Sequence, residues 1–174
     1  MMPFLFCTYF IIWRFMNTVI NNFNVTGKIN NLETVVTSNT VIVNPSLSII
    51  KSVDKNIWST GVLKYTVTLT NNTNASISAS FKDTVNPNYA NVIPNKVLVN
   101  GTAIPYTYNK ITGLLEINNL IIMANESVIV TYLVSKKVND VFVLNNTAYV
   151  NDTKSNTVKV TSILIRNCNN FTPK

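Results

Sequence analysis

The chain has 174 residues, of which 47% are apolar and only 12% are charged. This composition excludes an intrinsically disordered protein and leaves room for one domain with part of another. The net charge is +7, but the lysines are scattered and there are only two arginines, which argues against a nucleic-acid interface.

The first 44 residues repeat, in the same order, short segments from the last third of the chain. Ordered self-similarity is typical of tandem repeats, so we predict that residues 1–44 are the trailing strands of a truncated preceding repeat. The alternative is a degenerate export signal, but the apolar run at 1–16 has no basic start or cleavage site. It is too short to span a membrane, and Arg14 interrupts it. The matching segments are 8–11 with 131–134, 19–22 with 143–146, and 38–43 with 155–160.

The strongest strand pattern lies at residues 63–70. Apolar side chains there alternate strictly with lysine and threonine, which indicates a strand buried on one face. Asn100-Gly101 separates two extended segments and is a strong signal for a two-residue hairpin. Turns are also predicted around Pro87 and Pro94, and a single strand is predicted over 141–150.

Taken together, these strands predict one complete β domain. Asn44-Pro45 marks its start, because proline cannot donate to a strand ladder. Seven to nine short strands with no helical period predict an all-β fold, an immunoglobulin-like antiparallel β-sandwich. The predicted domain covers 45–166, and a tail follows at 167–174.

The order of short motifs along this domain is distinctive. The motifs are LSIIKSVDK at 47–55, YTVTLTN at 65–71, FKDT at 81–84, NESV at 125–128, NNTA at 145–148 and SNTV at 155–158. As a set they resemble the conserved repeat domain of bacterial surface proteins, domain of unknown function eleven. The family usually has Pro-Gly-Asp before its second strand, whereas this chain has Ser59-Thr60-Gly61. The resemblance implies tandem β-sandwich modules of exported, wall-associated proteins at the cell surface, without enzymatic activity.

The residues predict no catalytic, cofactor or metal site. Histidine is absent, which excludes His-based triads and zinc–histidine sites. The acids are not paired in sequence, and 151–153 offers too few oxygen ligands for calcium. Cys7 and Cys168 fit no metal-binding spacing. We interpret them as free thiols, with a disulfide as the alternative.

One covalent feature is worth testing. Some bacterial surface sandwiches join a first-strand lysine to a last-strand asparagine by an isopeptide bond, assisted by a buried acid. Lys51 and Asn156 occupy suitable strands, and Glu116 or Asp83 is the candidate acid. A lysine nucleophile requires burial and a lowered pKa. The alternative is a solvent-facing lysine and a turn asparagine.

Two functions follow as hypotheses. The first is a structural spacer whose partners are neighbouring repeats. The second is a binding module whose end loops recognise a wall glycan or a host protein. Neither requires a cofactor, nucleic acid or a membrane span. Exposed aromatic side chains on one face would favour binding, and buried or scattered ones would favour the spacer; the candidates are Trp58, Tyr89, Tyr106 and Tyr108.

Overall fold

The computed structural model describes residues 46–164 in full and, before them, the strands within 6–15, 18–29, 32–37 and 41–43. The chain divides into two compact units, Met1–Ser46 and Leu47–Lys174. The predicted tail and both cysteine side chains lie outside the residues described in this detail.

The described part of the first unit is an antiparallel sheet. Its strands are β1 (Phe6–Phe15), β2 (Thr18–Ile29), β3 (Leu32–Thr37) and β4 (Val41–Val43). Strand β2 pairs with β1, β3 and β4.

The second unit is built from short strands. They are β5 (Leu47–Val53), β6 (Ile57–Trp58), β7 (Val62–Asn71), β8 (Ile77–Thr84), β9 (Ala90–Val99), β10 (Thr102–Ala103), β11 (Thr107–Asn109), β12 (Leu114–Ile122), β13 (Ser127–Lys136), β14 (Phe142–Asn146), β15 (Ala148–Val150), β16 (Thr153–Lys154) and β17 (Val158–Ser162). This is more than the predicted seven to nine, because several strands have only two or three residues.

Three sheets form the sandwich of the second unit. One has the order β10-β9-β13-β7-β5 and the next has the order β11-β12-β8-β15-β16. The third, β14-β17-β6, contains the parallel pair β17–β6, whereas the other described pairings are antiparallel. The all-β sandwich prediction is therefore confirmed.

The predicted strand at the centre of the first sheet is also confirmed. Leu63, Tyr65, Val67 and Leu69 are fully buried in β7, and the residues between them are at least partly exposed. Inward-facing residues of β13 lie beside them in register, for example Tyr132 opposite Tyr65. Because a one-residue slip would expose this whole set, the apolar alternation fixes the register.

Asparagine shapes many of the turns and bulges. Asn100 and Gly101 both have positive φ, at 49° and 80°, and join β9 to β10 as the sequence predicts. Asparagine tolerates this left-handed region better than other non-glycine residues. The asparagines with positive φ are Asn95, Asn100, Asn119, Asn125 and Asn151.

Two local predictions are wrong. Pro94 lies inside β9 and not in a turn. The register between β9 and β13 shifts there, and such a bulge removes the need for the N–H that proline lacks. The predicted strand over 141–150 is two strands, because the chain changes sheets at Thr147 between β14 and β15.

The strand pairing of the first unit agrees in part with that of the sequence segments it resembles in the second unit. Strands β2 and β4 pair antiparallel in the first unit, as do their sequence counterparts β14 and β17 in the second. Strand β1 pairs with β2, however, whereas its counterpart β13 pairs with β7 and β9.

Among the described residues, no helix is long and apolar enough to cross a membrane.

Candidate functional site

Lys51 lies inside the sandwich of the second unit. In β5 it occupies the same face as the buried residues Leu47 and Ile49, and it is only 2% exposed. Burying a lysine is costly unless its amine finds partners. The position therefore calls for a specific polar environment.

That environment comes from two other strands. Asp83 in β8 is 1% exposed, and its Oδ2 accepts a hydrogen bond from Lys51 Nζ. The Tyr132 hydroxyl in β13 donates to the same oxygen at 2.6 Å and accepts from Lys51 Nζ at 2.9 Å. We call Lys51, Asp83 and Tyr132 the lysine cluster. Because β8 belongs to a different sheet from β5 and β13, the cluster connects two sheets through the core.

Aromatic rings enclose the amine. Lys51 Nζ lies 4.8 Å from the centroid of the Tyr65 ring and 5.4 Å from that of Tyr132, within cation–π range. The two rings stack with centroids 5.2 Å apart. Burial raises the pKa of both phenols, and the negative charge of Asp83 adds to this effect.

The lysine itself is shifted in the other direction. Burial lowers the pKa of the Lys51 ammonium, although the Asp83 carboxylate opposes the shift. Desolvation disfavours the charged amine. The cluster therefore provides the environment in which a lysine amine becomes neutral and nucleophilic.

Asn156 does not contact the amine of Lys51. Its Oδ1 accepts from the Lys51 backbone N–H at 2.8 Å, and its Nδ2 donates to the Lys51 carbonyl at 2.9 Å. The residue is exposed. Asn156 thus binds the edge of β5 and holds it to the segment that precedes β17.

The two candidate acids are separated by the pleat of their strands. Glu116 faces outward and pairs with Lys82 at 3.2 Å, where the two side chains are 29% and 53% exposed. Asp83 faces inward, and it is the acid beside Lys51. Glu116 is therefore not part of the lysine cluster.

The sequence analysis did not identify Asn146, which is also buried. Asn146 is 4% exposed, and its Nδ2 donates to the Thr84 carbonyl at 3.0 Å. Its Oδ1 and the Oδ1 of Asp83 are both buried without a hydrogen-bond partner among the described residues. A signal was available, since Asn146 continues the inward alternation of Phe142 and Leu144, just as Asp83 follows Ala79 and Phe81.

The four candidate aromatic residues do not form an exposed platform. Trp58 is fully buried, and Tyr89 is half-buried with its ring stacked on Phe142 at 4.5 Å. Tyr106 and Tyr108 are half-buried against the core. Tyr106 also borders a groove of about 540 Å³ together with Val99, Ile104 and Leu120.

Metal ligands are not grouped in the described part of the chain. No three His, Cys, Asp or Glu residues there lie close enough together to hold an ion. The buried polar and charged residues of the described core are Lys51, Asn71, Asp83, Asn146, Ser155 and Ser162.

Comparisons with known proteins identify the fold. The C-terminal domain of the Streptococcus pyogenes antigen I/II-family protein AspA superposes with a TM-score of 0.50 at 18% identity, covering 83% of this chain and 54% of that chain. The shared feature is the β-sandwich fold. No protein-family model and no curated protein matches the sequence.

Two further solved structures are similar at lower scores. BcpA, the major pilin subunit of Bacillus cereus, gives a TM-score of 0.49 at 8% identity, covering 82% of this chain and 55% of that chain. The C-terminal domain of the Streptococcus agalactiae polypeptide BspA gives 0.46 at 20% identity, covering 83% and 58%. The chain thus spans little more than half the length of each of these three structures.

Proposed function

We propose that this chain is a non-enzymatic spacer module of a bacterial cell-surface or wall-associated protein. In this proposal the second unit is one repeat of the conserved repeat domain, and residues 1–44 are the trailing strands of the repeat before it. The partners of the module are then its neighbouring repeats. Its location is extracellular.

The observation that carries the proposal is the way β5, the first strand of the second unit, is held. Lys51 reaches from β5 through the core to Asp83 on another sheet, and Asn156 binds the backbone of the same residue. A stalk module transmits force through its first and last strands. Side-chain bonds that secure a terminal strand suit that role.

The surroundings of the acids support a non-enzymatic role. Asp54 accepts from the Lys64 backbone N–H at 2.8 Å, Glu116 pairs with Lys82 and Asp83 is buried. These contacts use the carboxylates for structure. Hydrolysis of a glycan would instead require two carboxyl groups flanking the substrate bond.

The proposal is tested by measuring binding of the full chain to purified bacterial wall and to a panel of host matrix proteins. Each surface is tested at physiological and at raised ionic strength, because a net charge of +7 produces salt-sensitive attraction to polyanions. A spacer should show no saturable binding that survives raised salt. Saturable, salt-resistant binding would contradict the proposal.

The groove beside Tyr106 favours the second candidate, an adhesive module. Its volume of about 540 Å³ is in the range of small-ligand sites. Tyr106→Ala should abolish binding if the groove is the site. Tyr149→Ala is the matched control, because Tyr149 is exposed on β15 and does not line the groove.

A further inference from the structure

We propose that Lys51 and Asn146 are joined by an isopeptide bond inside the second unit, with Asp83 as the assisting acid. The inference deepens the proposed spacer function and rests on it, because a covalent bond from β5 to β14 would keep the residues between Lys51 and Asn146 from extending under force. Its chemical readout is separate from any test of binding.

Asn146 lies close along the chain to the residue that pairs with Asp83. Ala148 is directly opposite Asp83 in the β15–β8 ladder, and Asn146 is two residues earlier, at the end of β14, with its side chain buried. The amide of Asn146 donates to the carbonyl of Thr84, the residue next to Asp83.

Two oxygens without partners point to the reaction. The Oδ1 atoms of Asp83 and Asn146 are both acceptors, and both are buried with no partner among the described residues. Leaving a buried polar atom without a partner destabilises the folded state. A proton on Asp83 Oδ1 directed at Asn146 Oδ1 would satisfy both atoms, and it would polarise the amide carbonyl for attack.

Lys51 supplies the nucleophile. Transfer of a proton from its ammonium to Asp83 removes both buried charges and leaves a neutral amine, in keeping with the pKa of Lys51 that burial lowers. Nζ then attacks Cγ of Asn146. A Cγ–Nζ bond forms, the Cγ–Nδ2 bond breaks, and a proton from Nζ passes through Asp83 to the departing nitrogen. One ammonia leaves, and no oxidant or cofactor is consumed.

Asn156 does not fit the acceptor role. Both ends of its amide bind the Lys51 main chain, at the base of the lysine side chain. The amine lies at the other end of that side chain, beside Asp83 and Tyr132. Attack on Asn156 would require the lysine to leave its core partners and both backbone hydrogen bonds to break.

The test is the mass of the purified full chain under denaturing conditions. The expected mass is lower than that of the sequence by one ammonia. Trypsin then separates the two asparagines, because Asn146 lies in the peptide 138–154 and Asn156 in 155–159. The inference predicts a branched species joining 29–55, uncleaved at Lys51, to 138–154. A full-length mass without ammonia loss would overturn it, and so would a branch to 155–159.

Variants provide the controls. Asn146→Ala and Asp83→Asn should restore the full mass, while Asn145→Ala and Asn156→Ala should keep the ammonia loss. Asn145 is a suitable match because it is the exposed neighbour of Asn146. If Asn146→Ala does not fold, fragmentation of the wild-type branched peptide assigns the bond. A bond at Asn145 would overturn the inference.

Discussion

Replacing the members of the lysine cluster with apolar residues tests whether Lys51 and Asp83 face each other in the core. We consider Lys51→Met, Asp83→Leu and the double variant. Each single change leaves one charge buried without its partner, which typically costs about 3–5 kcal/mol. The double variant buries neither charge, so most of that cost should disappear.

The expected size of the rescue follows from the remaining contacts. In the double variant the Tyr132 hydroxyl loses both of its partners in the cluster, and a buried hydroxyl without a partner costs about 1–3 kcal/mol. We therefore expect the double variant to be more stable than either single variant by about 2 kcal/mol. Adding Tyr132→Phe should recover most of the remainder.

Urea unfolding at neutral pH, followed by the fluorescence of the buried Trp58, measures these differences. None of the three variants can form the proposed isopeptide bond, so the comparison holds whether or not the wild-type chain is cross-linked. If the double variant is less stable than both single variants, Lys51 and Asp83 do not interact and the described cluster is wrong.

Three further outcomes are expected. Val67→Asp should unfold the second unit, because Val67 is fully buried and an unpaired carboxylate there costs several kcal/mol. Thr66→Asp, on the other face of the strand, should cost less than about 1 kcal/mol. Equal melting temperatures of the two variants by circular dichroism would contradict the register. Gly113→Ala should destabilise by several kcal/mol in urea titrations, because the added Cβ would lie 1.8 Å from a main-chain carbonyl oxygen. The matched change Gly61→Ala has open space at a similar positive φ and should cost only about 1–2 kcal/mol; equal costs would be inconsistent with the described packing. Burial raises the pKa of Tyr132, so above pH ~10 the phenol loses its proton in the unfolded state before it does so in the folded state. The free energy of unfolding should therefore fall by up to about 1.4 kcal/mol per pH unit. Tyr132→Phe should reduce this slope, and an exposed phenol would not produce it.

The sandwich is predictable because buried and exposed positions alternate along a strand, and apolar and polar residues alternate with them. Alternation at 63–70 set both the strand and its inward face, and Asn100-Gly101 set a hairpin by its need for positive φ. The change of sheet at Thr147 was not predictable in this way. The apolar alternation runs on through β14 and β15, so the residue pattern does not reveal where the ladder partner changes.

The candidate site was predictable only in part. Lys51 is predicted from its position in the first strand of the domain. Its spacing of two residues from Ile49 is consistent with the buried face of β5. The choice between Asp83 and Glu116 depends on which of the two side chains faces the core. Asp83 lies two residues after the buried Phe81 in β8, so it faces inward, whereas Glu116 pairs with the outward-facing Lys82. This can be seen only once the bounds of β8 are known. The sequence does not single out Asn146, because the expected acceptor is an asparagine of the last strand, whereas Asn146 lies in β14. Only its burial distinguishes it from its neighbour Asn145.

The most direct measurement of a cross-linked spacer is the extension of the full chain when it is pulled from its ends by single-molecule force spectroscopy. An isopeptide bond from Lys51 to Asn146 would keep the intervening residues from extending, and they would otherwise span about 300 Å at ~3.3 Å per residue. We expect the wild-type chain to lack this length and Asn146→Ala to gain it. A wild-type chain that extends fully would contradict both the bond and its mechanical role.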